Sequence, residues 1–316
     1  MSLNGKGRIV WPKGKRFAFT IVDDTDKATL EKVRPVYDLL TEHGLLTTKT
    51  VWPLPAPERT VQRGNTLEDK DHRDWILDLK DRGFEIALHG ASDGPSTRER
   101  VIDGLSRFKE IVGQAPRLHA NHTGQIESVY WGEDRFDGAA KLLYKGARKY
   151  LGRGSKSYGH EQNTPYFWGD LCSSTLTYVR NLVFNEINTL KADPIMPYHD
   201  PRRPHVPFWF SSSGGAEVNS FCRVISEANQ DRLVEEGGAC IGYTHFGIGF
   251  CPDGRINPRF VQLIRRLATL PGWFVPASTL LDYVGERRGW QSADHHRLTL
   301  QLMQWKWLAQ RSAVAA

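Results

Sequence analysis

Apolar and polar positions along this chain follow two repeating patterns, one typical of buried strands and one typical of amphipathic helices. Residues 17–22 are uncharged and rich in apolar and β-branched side chains, which favours a strand buried on both faces. Leu30, Val33, Tyr37 and Leu40 then recur at helical spacing. This succession of strand and helix occurs four times in the first part of the chain, and it predicts parallel strands joined by right-handed crossovers.

The same reading predicts a series of further strands along the chain. They are expected at residues 47–52, 84–89, 117–121, 182–185, 208–211, 239–243 and 273–275. Between residues 132 and 215 the pattern is weaker and aromatic residues are frequent, and here we also predict a strand at residues 142–146. An aromatic-rich region suits a carbohydrate surface, although core aromatics and ordinary loops explain the composition equally well.

The division of the chain follows from the absence of Gly/Ser-rich linkers and repeats in the sequence. We expect an N-terminal extension at residues 1–15, one α/β domain at residues 16–289 and a helical tail at residues 290–316. In the tail, Leu298, Leu302 and Trp305 recur at helical spacing. Such a tail packs back on the domain or onto a partner subunit in a homo-oligomer.

Composition places the chain among soluble globular proteins. Hydrophobic residues make up 40% of its 316 residues and charged residues 25%, and the net charge of +6 comes from basic residues spread along the sequence. No nucleic-acid-binding motif is present, so no nucleic-acid partner is expected. The four cysteines lack C-x-x-C spacing, and neither a signal peptide nor a membrane span is apparent. These features predict a cytoplasmic protein.

Polar side chains follow several of the predicted strands at the point where each strand ends. They are Asp23, Asp24, His89, Asn121, His122 and His245. Because a barrel of parallel strands gathers such ends at one face, these side chains are expected to be neighbours. The simpler alternatives are that the two aspartates cap the helix that begins near Ala28, and that each histidine is structural.

Three of these segments resemble the motifs of polysaccharide deacetylases of the NodB-homology type, the family-four carbohydrate esterases. Thr20-Ile21-Val22-Asp23-Asp24-Thr25 is similar to the first family motif, Thr-Phe-Asp-Asp-Gly, with one residue more before the acids. His89-Gly90-Ala91-Ser92-Asp93 keeps the first histidine of the second motif and has an aspartate in place of the second. Tyr243-Thr244-His245 is similar to the last motif, whereas the family's Arg-x-Pro-Tyr motif has no recognisable counterpart.

The resemblance implies an α/β fold, a distorted (β/α) barrel of about seven strands, here with a C-terminal helical extension. It also implies hydrolysis of an N-acetyl group on a sugar or sugar conjugate, assisted by a divalent metal such as zinc. Asp24 and His89 would bind the metal. The third ligand would be His122, which keeps the Asp-His-His set of the family, or alternatively Asp93.

The remaining roles follow from the same resemblance. Asp23 would act as the general base, and His245 would protonate the leaving amine. Asn121, Trp131 and Trp52 would contact the N-acetylated carbohydrate. An arginine would orient Asp23, and the sequence offers three candidates, namely Arg98, Arg117 and Arg148.

Two other readings remain open at this stage. A metal-free amidase could use the aspartate and the two histidines alone, and a non-catalytic barrel could bind carbohydrate without hydrolysing it. A glycosidase would need two opposed carboxylates, and no second acid stands at a convincing strand end. Metal content separates the deacetylase from both alternatives, because only the deacetylase requires an ion.

Overall fold

The computed structural model describes residues 9–57, 62–121, 124–150 and 156–315, with side chains described as far as residue 310. The described chain contains ten strands. They are β1 (Phe17–Asp23), β2 (Thr48–Val51), β3 (Glu85–Leu88), β4 (Leu118–His119), β5 (Tyr178–Phe184), β6 (Tyr198–His199), β7 (Phe208–Gly214), β8 (Ala239–Thr244), β9 (Gly272–Phe274) and β10 (Gln291–Ser292).

Eleven α-helices accompany these strands in the described residues. They are α1 (Leu30–Glu42), α2 (Lys70–Asp81), α3 (Arg98–Val112), α4 (Gly138–Tyr150), α5 (Gly169–Thr175), α6 (Thr189–Ala192), α7 (Val218–Val224), α8 (Glu227–Glu236), α9 (Pro258–Thr269), α10 (Ala277–Arg288) and α11 (Arg297–Ala315). None of the described helices combines the length and the apolar character that a membrane span requires.

Seven parallel strands close into a barrel in the spatial order β1, β2, β3, β4, β5, β7, β8. Closure comes from β8, which pairs in parallel with β1 from Ala18↔Ala239 to Asp23↔Thr244 and with β7 at its other edge. Every residue of β1 is buried, as the uncharged run at residues 17–22 predicts for most of the strand. The predicted α/β barrel is therefore confirmed, with helices packed around the parallel strands.

Three short strands extend the sheet beyond the barrel. Strand β9 pairs with β1, while β6 runs antiparallel to β7 and in turn pairs with β10. The N-terminal segment also packs on this body, because the indole of Trp11 is buried and donates a hydrogen bond to the carbonyl of Gly237 at 3.0 Å.

The strand predicted at residues 142–146 is wrong, because this segment lies inside α4. The short apolar run Leu142, Leu143, Tyr144 resembles a strand when its neighbours are ignored. In the helix, Ala140 and Tyr144 are four residues apart and turn toward the protein, whereas the two leucines face solvent.

Helix α11 packs against the segment that precedes and includes α4. The ring of Trp307 lies 5.4 Å from that of Phe136 and 6.1 Å from that of Tyr144. Gln304 accepts a hydrogen bond from the backbone N–H of Asp137 at 3.1 Å and donates one to the carbonyl of Arg135 at 3.2 Å. The tail thus folds back onto its own chain and forms part of the wall beside the barrel.

Candidate active site

A cleft of about 1260 Å³ opens at the carboxyl ends of the barrel strands. Its polar lining includes Asp24, Asp26, His89, Asn121, Arg180 and His245. Asp24, His89 and His245 each follow directly after a barrel strand, so the fold brings them together from β1, β3 and β8. Of the strand-end side chains expected to be neighbours, Asp24, His89, Asn121 and His245 therefore line one cleft.

The centre of the cleft is the carboxylate of Asp26, which lies between two histidines. Its Oδ2 atom is 3.1 Å from Nε2 of His89 and 3.2 Å from Nε2 of His245. Nδ1 of His245 in turn donates a hydrogen bond to the carbonyl oxygen of Ala216 at 2.7 Å. Burial lowers the pKa of His245, but the hydrogen bond that the ring donates to Asp26 and the charges of Asp24 and Asp26 outweigh burial and raise it. The ring of His245 therefore keeps its proton to a higher pH than a free imidazole does, so the protonated form is available in the cleft.

A second buried pair joins Asp24 to Arg180 of β5. Nη1 and Nη2 of the guanidinium donate to the two oxygens of the carboxylate at 2.8 and 2.5 Å. Burial raises the pKa of Asp24, yet Arg180, with His89 and His245 nearby, lowers it below its ordinary value. The fork of the arginine thus keeps this carboxylate ionised and fixes its orientation.

The donor atoms in the cleft are suited to a divalent cation. One ligand atom each from Asp24, Asp26 and His89 lies within 4.8 Å of the other two, and all three side chains are buried. Carboxylate oxygen and imidazole nitrogen are donors that zinc-like ions accept. The donor set therefore fits the expected metal, although Arg180 already engages both oxygens of Asp24.

Asp23 does not line the cleft, and its placement does not fit the predicted role of general base. Neighbouring residues of a strand point to opposite sides, so Asp23 turns away from the side that Asp24 faces. Its fully buried carboxylate contacts Nζ of Lys49 at 2.8 Å, and it accepts hydrogen bonds from the backbone N–H of Phe246 at 2.7 Å and the hydroxyl of Tyr37 at 3.2 Å. Burial raises the pKa of Asp23, against the opposing effect of Lys49.

The three residues predicted to contact substrate lie in different surroundings. Asn121 lines the cleft, and its amide holds the backbone of Val129 through two hydrogen bonds of 3.1 Å. Trp131 also lines the cleft and stacks on the guanidinium of Arg135 at 4.1 Å. Trp52 is fully buried, and its ring packs 5.9 Å from that of His89, so it supports the histidine and cannot contact a substrate in the cleft.

Only one of the two candidates for the third metal ligand lies among the described residues. His122 lies outside the described residues. Asp93 is buried, and its Oδ2 accepts hydrogen bonds from the backbone N–H groups of Gln62 and Arg63, both at 2.8 Å. Asp93 therefore anchors the segment that follows β2, and it is not part of the Asp24, Asp26 and His89 group.

The arginine that holds a carboxylate of the cleft is Arg180, which is not one of the three predicted. Those three have other partners: Arg98 pairs with Asp170, Arg117 with Asp282, and Arg148 contacts the hydroxyl of Tyr144. Sequence reasoning missed both Arg180 and Asp26. The signal for Arg180 is an isolated charge within the buried strand Tyr178–Phe184, and the signal for Asp26 is a third acid in four residues.

Comparison with solved structures supports the fold. A probable polysaccharide deacetylase from Pseudomonas aeruginosa PAO1 aligns with a TM-score of 0.52 and 13% identity, over 91% of this chain and 97% of that one. Puue allantoinase aligns with a TM-score of 0.49 and 12% identity, covering 90% and 95% of the two chains. Peptidoglycan deacetylase PdaC from Bacillus subtilis gives 0.43 and 12%, covering 92% and 99%.

Comparisons at the level of sequence give no relative. No protein-family model matches the chain, and no curated protein matches it. The class of protein is therefore defined by its fold and its cleft. The fold is an α/β barrel of the kind found in the Pseudomonas protein, and a buried Asp-Asp-His group lies at the carboxyl ends of its strands.

Proposed function

We propose that this protein is a hydrolase that removes the acetyl group from an N-acetylated sugar or sugar conjugate. The observation that carries the proposal is the arrangement in the cleft, where an arginine-held carboxylate stands beside an aspartate that bridges two histidines. The three sequence motifs that resemble polysaccharide deacetylases support it. The barrel shared with the Pseudomonas protein is consistent with it.

In this proposal the general base is Asp24, in place of Asp23. Asp24 lines the cleft, and the charge of Arg180 keeps it ionised and oriented, so that it can take a proton from the attacking water. His245 holds a proton at Nε2 beside Asp26 and delivers it to the departing amine. The pair follows a general pattern in which two titratable groups have their pKa values driven apart.

Asp26 and His89 would be the principal ligands of a divalent metal, and zinc is the ion that their donor atoms suit. Arg180 makes Asp24 a weaker electron donor, so the third ligand would be Asp24 through one oxygen, or His122 as the sequence predicts. When bound, such an ion supplies Lewis acidity that polarises a carbonyl and lowers the pKa of water.

The substrate side of the cleft is formed by flat and polar side chains. Trp131 offers an aromatic surface for the apolar face of a sugar ring, and Asn121 lines the same cleft. All four cysteines are free and buried. Free thiols are typical of a reducing compartment, so we place the reaction in the cytoplasm.

The direct experiment measures acetate released from N-acetylated oligosaccharides by the metal-supplemented protein. We expect Asp24→Asn and His245→Ala each to lower kcat by about 10²- to 10⁴-fold, the contribution of a positioned acid or base. Asp103→Asn, on the exposed face of α3, is the matched control and should keep full activity. Release that persists in Asp24→Asn would rule out the proposed base.

A metal-free amide hydrolase is the second candidate, and one observation favours it. The residue that replaces the family's second histidine, Asp93, is turned toward backbone N–H groups and does not join the acidic group. Metal analysis of the protein after incubation with zinc separates the two candidates. About one ion per chain, lost in Asp26→Asn and His89→Ala but kept in Asp93→Ala, would support the metal enzyme. Activity without bound ion would support the metal-free reaction.

A further inference from the structure

The basic residues are spread along the chain, but the excess of positive over negative charge comes from two segments that contain no acidic residue. Residues 138–156 contain six basic and no acidic residues, and residues 297–316 contain three basic and no acidic residues. The rest of the chain has 33 basic and 36 acidic residues and is therefore slightly negative. The helices of these segments, α4 and α11, pack on each other through Tyr144 and Trp307.

The same two helices carry most of the exposed apolar surface. Nine large apolar side chains are exposed among the described residues, and six of them lie on α4 and α11. These six are Leu142, Leu143, Tyr150, Leu298, Leu302 and Trp305, with exposed fractions between 42% and 92%. A soluble surface seldom gathers so many apolar groups without a partner. We call this set of residues the α4–α11 face.

The apolar stripe on α11 is separate from the stripe that packs against the protein. Leu298, Leu302 and Trp305 are spaced four and three residues apart, so they share one side of the helix. Met303 and Trp307 are buried on the opposite side. The helix therefore presents a second apolar side to solvent that its own fold does not use.

We propose that the α4–α11 face binds the surface of a membrane that contains anionic lipids. Leucine and tryptophan side chains beside lysine and arginine are the composition of helices that lie in a lipid interface. A second copy of this chain is a poor occupant, because a two-fold contact through this face would place basic helices against each other with no acidic residue on either.

The ion pairs around this face leave its charge excess at one end. Lys141 and Lys145 pair with Asp134 and Glu133, which lie before α4 in the chain. On α11, Arg297 pairs with Asp200 and Lys306 pairs with Glu186. The excess therefore lies toward the end of α4, where Lys149 adjoins the exposed ring of Tyr150. Trp307 and Gln310 of α11 also line the cleft, so binding through this face would bring the cleft close to the lipid.

Vesicle flotation with the full chain tests the proposal independently of any enzymatic activity. The protein is mixed with vesicles of phosphatidylcholine alone or of phosphatidylcholine with phosphatidylglycerol, at low and high salt. We expect flotation with the anionic vesicles only, weakened by salt. The Leu298→Gln, Leu302→Gln double variant should partition about tenfold less, and Lys149→Glu about fivefold less.

Ile102→Gln is the matched control, since Ile102 is an exposed apolar residue on a different helix, α3. It should float like the unchanged protein, and circular dichroism should show that all variants keep their helices. Equal flotation of the leucine variant, or none with any vesicle, would overturn the proposal. So would a dimer in light scattering that the leucine variant dissociates, or binding to a single-stranded oligonucleotide that the leucine variant retains.

Discussion

The buried pair of Lys49 and Asp23 gives the sharpest test of how the barrel holds the loop that carries His245. Both side chains are fully buried, with Nζ and Oδ2 2.8 Å apart. The same carboxylate accepts a hydrogen bond from the backbone N–H of Phe246, the residue after His245. The pair therefore links β1, β2 and the segment after β8, and it helps fix the position of His245.

Lys49→Met keeps the length of the side chain and removes its charge, which leaves the carboxylate of Asp23 buried without a cation. Breaking one partner of a buried ion pair lowers the free energy of unfolding by about 3–5 kcal/mol. That is a large part of the 5–15 kcal/mol by which domains are typically stable. Adding Asp23→Asn removes the remaining charge, and we expect the double variant to recover most of the loss.

Urea unfolding followed by circular dichroism measures these differences as a double-mutant cycle. The control is Lys70→Met, which breaks the exposed pair of Lys70 and Asp74 and should hardly move the unfolding midpoint. The reasoning fails if Lys49→Met is no more destabilising than Lys70→Met. It also fails if the double variant loses as much as the two single variants added together.

Three further changes test other parts of the account. Arg180→Gln should lower kcat by about 10²-fold with little change in KM, because Asp24 loses its orientation, as steady-state kinetics would show. Burial raises the pKa of Asp193 to about 7, so the folded chain keeps a proton that the unfolded chain loses near pH 4. The free energy of unfolding therefore falls by on the order of 4 kcal/mol as the pH rises between these values. Asp193→Asn should flatten this dependence in urea titrations at a series of pH values. A Cβ at Gly247 would lie 2.5 Å from the backbone of Lys27. Gly247→Ala should therefore lower the free energy of unfolding by about 1–3 kcal/mol and slow the enzyme. An unchanged thermal unfolding midpoint would contradict this prediction.

The barrel could be predicted because its strands are short, rich in apolar and β-branched residues and often followed by amphipathic helices. Strand β1 is the clearest case, since all seven of its residues are buried. The failure at residues 142–146 has a physical reason, because α4 exposes Leu142 and Leu143, and periodicity assumes that apolar residues face inward. The outward leucines are the same feature from which membrane binding is inferred.

The candidate site could be predicted only in part. His89 and His245 follow strands directly, so strand ends alone indicate them. The choice between Asp23 and Asp24 depends on which side of the barrel wall each faces, and a shift of one residue exchanges the two. Arg180 stands out in the sequence as an isolated charge in a buried strand, but it reaches Asp24 from 156 residues away, and no local pattern indicates this pairing.

The most direct test of the central claim is acetate release from N-acetylated oligosaccharides by the zinc-supplemented protein, compared with Asp24→Asn and Asp23→Asn. The account predicts release that Asp24→Asn abolishes, while Asp23→Asn, once the folded fraction is taken into account, keeps a substantial part of it. Release abolished by Asp23→Asn in fully folded protein but kept by Asp24→Asn would contradict the assignment of the base. No release from any N-acetylated sugar would contradict the proposed reaction itself.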